Sequence, residues 1–151
     1  MATTSENRAP VHLWIVGILS LLWSCFGCYD YTMTRMRNTD YIASAMPGVD
    51  PNAALAWVDS MPLYAQVGWG LGVWLGLLGS VLLLLRSRWA VWAYGISFVG
   101  AVLSLGYQVA LAPPLPGAEG PMMTIMPYVI IGICLALFLY ARAMAGKGVL
   151  R

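Results

Sequence analysis

A chain of 151 residues that is 60% hydrophobic and only 9% charged cannot supply the polar surface a water-soluble domain of this size needs. Its mean hydropathy of +0.75 points to lipid as the surrounding solvent. A net charge of +2, from eight basic and six acidic residues, leaves no dense cationic face and excludes nucleic acid as a partner.

Residues 1–10 read as a polar tail ending at Pro10, a natural helix start. Four apolar stretches follow, at residues 11–33, 63–85, 89–111 and 122–144. Each is long enough to cross a bilayer, because ~20 residues rising ~1.5 Å apiece span the ~30 Å hydrocarbon core. The predicted fold is therefore all-α, an integral membrane four-helix bundle. The first stretch is longer than a signal core and no small-residue cleavage site follows it. Leu22-Trp23-Ser24-Cys25 is only loosely like a lipoprotein cleavage box, since Trp23 is too bulky for its place, so this segment is expected to be retained.

Between the first two spans lies a loop over residues 34–62. Asp50-Pro51 pairs a helix N-cap with proline at the first helical position, which predicts a short helix near 51–60. Its Leu55, Val58 and Met61 are expected to rest on the membrane interface or on the top of the bundle. Residues 86–88 form so tight a turn that the second and third helices must be antiparallel neighbours. The connection 112–121 holds Pro113, Pro114, Pro116 and Pro121, which predicts a stiff, exposed turn. Residues 145–151 form the remaining tail.

Sorting charge by side gives the predicted orientation. With the N-terminus cytoplasmic, that side carries Arg8, Arg86, Arg88, Arg142, Lys147 and Arg151; the other carries Arg35 and Arg37 beside Asp40, Asp50, Asp59 and Glu119. Both termini are thus expected in the cytoplasm of a bacterial inner-membrane protein. Trp14, Trp89, Trp92 and Tyr140 fall at the inner belt, and Tyr29, Tyr31, Tyr64, Tyr107 and Tyr128 at the outer one.

The most specific packing signal lies in the second span, where Gly68, Gly72, Gly76 and Ser80 recur every four residues. Small residues at this period leave a groove that another backbone can enter closely. Gly100 and Ser104 of the third span and Gly132 of the fourth are the matching small residues. Packing within one bundle accounts for the pattern; a homodimer or larger membrane complex joined through the second helix is the alternative.

Few residues could carry chemistry. Asp30 is the one acid inside or beside an apolar span, ~12 Å from the midplane. Such an acid can serve a solute or a proton, or it can be an interfacial carboxylate bonded to Thr34 and Arg37. Cys25 and Cys28 form a C-x-x-C, but a thiolate is disfavoured in mid-helix hydrocarbon, and Cys134 alone is left for a relay. His12, the sole histidine, leaves too few donors for zinc or for two-histidine haem, so no metal and no cofactor is expected. No Ser-His-Asp set can be assembled, and an enzyme is not expected.

The runs LWIVGILSLLW at 13–23, FGCYDYTMT at 26–34, WGLGVW at 69–74 and LRSRWA at 85–90 resemble a family of small four-helix inner-membrane proteins of alphaproteobacteria. So do YAR at 140–142 and GVLR at 148–151, and the resemblance covers essentially the whole chain. Some members carry the label "sugar transporter", which implies a sugar-type solute. No Pro-Gln pair of the three-helix sugar transporters is present, nor the first-helix glutamate of four-helix multidrug exporters. A solute site would draw on Trp23, Asp30, Tyr31, Trp74, Tyr107 and Gln108. The leading expectation is an accessory or structural membrane protein, the second a small-solute transporter, and the third a thiol redox protein using Cys25 and Cys28.

Overall fold

The computed structural model describes residues 8–151, so most of the N-terminal tail lies outside the described residues. The regular elements among them are all helices: α1 (Val11–Arg35), α2 (Thr39–Ala45), α3 (Pro51–Asp59), α4 (Leu63–Leu84), α5 (Trp89–Ala110) and α6 (Pro121–Gly146). α1, α4, α5 and α6 are each long and apolar enough to cross a membrane. Their outer faces carry bare Leu22, Phe26, Val67, Val99 and Ile125, which is the surface a protein offers to lipid. Trp14, Trp89 and Trp92 are exposed at one end and Tyr29, Tyr64 and Tyr128 at the other.

Local chemistry sets the helix ends. Proline opens α1 and α4 from extended backbone at Pro10 and Pro62. Asp50 caps α3 by accepting from the Asn52 amide at 3.1 Å. α2 has no counterpart among the sequence expectations; Asn38 starts it by accepting from the Tyr41 amide at 2.9 Å. α1, α4 and α6 all stop in one way: a residue turns left-handed just past the cap, and the next amide reaches back five residues. Those residues are Arg37 (φ 58°), Arg86 (φ 58°) and Gly148 (φ 70°), with Asn38→Met33, Ser87→Leu82 and Val149→Met144 as the closing bonds.

α4 and α5 form the central and most extensive pairing, with α1 laid on α4 and α6 on α5. Small residues make the centre tight. A Cβ added at Gly68 would stand 2.8 Å from the Gly100 carbonyl oxygen, and one at Gly100 would stand 2.9 Å from the Gly72 amide nitrogen. The groove of α4 is thus filled by α5 of the same chain. Gly132 plays no part in packing: nothing lies within 4 Å of a Cβ built there, because α6 meets α5 through Phe138 against Gly95 instead.

Two small cores close the ends. At one end Leu13, Leu83, Ala90, Tyr94, Ala141, Met144 and Leu150 pack together, with Ala9 and Val149 against them. Both ends of the described chain therefore lie at the same end of the helices. Residues 145–151, expected as a tail, are docked there. The Arg88 amide donates to the Arg151 carbonyl (2.9 Å), the Arg151 amide donates to the Arg86 carbonyl (2.7 Å), and Leu150 is 2% exposed. A buried leucine and two backbone bonds outweigh the freedom of a loose tail.

At the opposite end Ile42, Val49, Ala54 and Leu55 make a second core, joined by Leu115 and Ala118 of the proline-rich connection. That connection is not simply an exposed turn. Trp57 Nε1 donates to the Pro113 carbonyl at 2.8 Å, and Gly117 (φ 84°) lies against the backbone of Gly48. The physical reason is local. Proline carbonyls have no helical partner and stay free to accept, and two glycines let the loops approach backbone to backbone.

Candidate functional site

A cavity of about 150 Å³ lies between α1, α4, α5 and α6, away from the tight α4–α5 seam. Each helix lines it with one face at helical spacing: Trp23, Gly27 and Asp30 on α1; Trp69, Gly72 and Gly76 on α4; Ser97, Ala101 and Ser104 on α5; Ile130, Cys134 and Leu137 on α6. The glycines and small residues of α4 and α5 leave the volume open. Trp23, Trp69 and the aliphatic side chains of α6 give it apolar walls.

A hydroxyl network ties three helices together beside the cavity. The Tyr94 hydroxyl, 1% exposed, lies 3.1 Å from Ser20 Oγ and donates to Ser80 Oγ at 3.1 Å. Ser80 donates to the Gly76 carbonyl at 2.9 Å and sits 3.3 Å from Ser24 Oγ. Ser97 donates to the Gly72 carbonyl at 2.6 Å. Ser104 is the exception. It is 1% exposed and lines the cavity, yet its Oγ has no hydrogen-bond partner among the described residues. A buried hydroxyl left unbonded costs about 1–3 kcal/mol.

Asp30 stands on the cavity wall but does not bond as expected. Its Oδ1 accepts from the Tyr41 hydroxyl of α2 at 2.7 Å. Arg37 instead turns to Asp59, 3.1 Å away, because its left-handed backbone at the end of α1 aims it at α3. Burial, and after it the hydrogen bond and charge of Asp30, pushes the Tyr41 phenol above its usual range, so it stays protonated and donating. Tyr29 packs edge-to-face on the Tyr41 ring at 5.3 Å. The loop helix α2 is thereby pinned to the mouth of the cavity.

Of the six residues expected at a solute site, Trp23 and Asp30 line the cavity. Tyr31 stands behind it, edge-to-face on Trp69 at 4.8 Å and on Trp74 at 6.5 Å. Trp74 is half exposed on the outer face, Tyr107 packs on Tyr64 at 6.1 Å, and half-buried Gln108 lies beyond the lining. Trp69, Ser97, Ser104 and Cys134 were not among those expectations. Spacing was the available signal, since each falls three, four or seven residues from another small or aromatic residue on its helix. Tyr94 carried a weaker signal, a tyrosine two residues past the belt residue Trp92 and one step deeper into the span.

Cys25 and Cys28 are free thiols about one turn apart on α1. Cys25 is exposed, whereas Cys28 is buried and donates to the Val73 carbonyl at 3.4 Å. A second cleft, of about 190 Å³, lies beside α3 and is polar. Its groups pair with each other, Arg37 with Asp59 and Arg35 Nη1 with Gln66 Oε1 at 3.2 Å.

No family model matches this chain, and no curated protein or solved structure matches it.

Proposed function

We propose that this chain is a small multi-pass protein of a bacterial inner membrane that takes a small, mostly apolar molecule into the cavity between α1, α4, α5 and α6. It acts as an accessory binding or passage component and not as an enzyme. The observation that carries this reading is the cavity itself, about 150 Å³ with indole and aliphatic walls and one buried, unpartnered hydroxyl at Ser104. A volume of roughly this size holds a single benzene ring. A sugar fits poorly. Ser97 and Ser24 are already bonded, so most of a sugar's hydroxyls would enter without partners and lose their hydration. Both termini are assigned to the cytoplasm because Arg86, Arg88, Arg142, Lys147 and Arg151 gather at the end where Ala9 and Leu150 pack together. The α4 groove is occupied by α5, so a homodimer would use another face.

Benzyl alcohol titrated into the detergent-solubilised protein tests the reading, with tryptophan emission as readout because Trp23 and Trp69 line the cavity. A saturable change is expected, weakened at least about tenfold by Cys134→Phe, whose ring occupies the space a ligand would take. A linear, non-saturating response that is the same in both proteins would sink it.

A further inference from the structure

Building on the proposal that the cavity holds a small ligand, we infer that the molecule it selects is a small organic cation, a protonated amine carried on one ring-sized apolar body. The charge in the cavity has one sign. Asp30 is the only acidic residue on the four membrane-crossing helices, and no basic side chain lines the space. Nor is Asp30 neutralised from outside, since among the described residues no cation pairs with it. The nearest arginines on its own helix and just past it are engaged elsewhere, Arg35 with Gln66 and Arg37 with Asp59. Tyr41 holds Oδ1, and Oδ2 has no donor among the described residues. A carboxylate held at the edge of hydrocarbon without a counter-ion is costly, and a cation that enters with it removes that cost.

Geometry names the rest of the ligand. Tyr31, next to Asp30, lies against Gly70 with its hydroxyl 3.2 Å from where a Cβ would stand, and Ser104 lies against Gly68. Cys28 stands level with Val73 and Ser104 with Gly68, so Asp30, two residues past Cys28, and Ser104 lie within about one helical turn of each other in depth, both on the lining of the space. An ammonium group has three donors and no acceptor, which suits a free carboxylate oxygen and a free hydroxyl oxygen together. Ile130 beside Ser104, and Trp23 and Leu137 further in, supply apolar surface and an indole for a cation's positively polarised methylene. The volume accommodates a body of about one aromatic ring. An anion would meet Asp30 with like charge, and a neutral ring would leave Asp30 uncompensated.

Benzylamine, charged at pH 7, and benzyl alcohol, its neutral counterpart of similar shape, separate the outcomes when titrated into the full chain in nanodiscs of zwitterionic lipid. The wild type is expected to bind the amine about tenfold tighter than the alcohol. Asp30→Asn, which keeps an acceptor for Tyr41, should erase that preference, with an unchanged helical circular-dichroism spectrum and thermal midpoint certifying the fold. Asp30→Glu should keep the preference, and Ser104→Ala should weaken the amine several-fold. Equal binding of amine and alcohol by the wild type, or a preference that survives in Asp30→Asn, overturns the cation assignment while the cavity remains a binding site. Saturable binding of neither probe overturns both.

Discussion

The α4–α5 seam and the gap between α1 and α6 are built from similar residues and behave oppositely. In the seam, glycines on one helix face glycines on the other, and the backbones close until a single methyl group has no room. Across the gap, glycine and serine on α1, α4 and α5 face Ile130, Cys134 and Leu137 of α6, and a cavity is left. Small residues on both partners remove volume from an interface. Small residues on three helices, with a fourth held away, create it. In lipid no hydrophobic force collapses such a gap, because the tails outside are as apolar as the walls inside.

Alanine placed in the seam and on the open face of α6 measures how tight the seam is. Gly100→Ala drives a methyl into the backbone of α4 and is expected to destabilise the protein by about 2–3 kcal/mol, although alanine favours helix. A shift of the SDS unfolding midpoint smaller than that from a surface control would show that the seam can open. Tyr94→Phe comes next. It removes the hydroxyl that joins α5 to Ser20 on α1 and Ser80 on α4, with an expected loss of about 1–2 kcal/mol. Thermal unfolding in a fixed detergent measures it, and no change would mean the two serines find each other. Gly132→Ala should be the mildest, neutral or stabilising by about 0.5 kcal/mol, because the new methyl meets nothing in the protein. A clear destabilisation there would place an unseen partner on that face of α6.

The apolar spans and the α4 glycine period were legible because each rests on one helix at a time. Which faces meet was not. Trp74 was expected at a solute site and Trp69 was not, yet the two point about 140° apart on α4, at ~100° per residue. Hydropathy cannot choose between them, since lipid-facing and buried faces are equally apolar here. Asp30 was legible as an isolated acid, but its partner was sought one and two turns along its own helix. The donor came from Tyr41 on α2, a seven-residue helix whose only sequence mark is its Asn38-Thr39-Asp40 start. The docked C-terminal residues were hidden for a similar reason. Val149 and Leu150 are too short a run to announce a core, and their contacts lie on residues far back in the chain.

That docking gives the molecule a sense of order in time. The α4–α5 hairpin has everything it needs to mate by residue 110, while synthesis is still under way. Leu13 and Leu83 must wait for Leu150, and the peptide groups of Arg86 and Arg88 must wait for Arg151. A chain interrupted before residue 148 would carry all four long apolar helices and still leave one end unlatched. That end of the helix assembly is latched last, by residues 148–151.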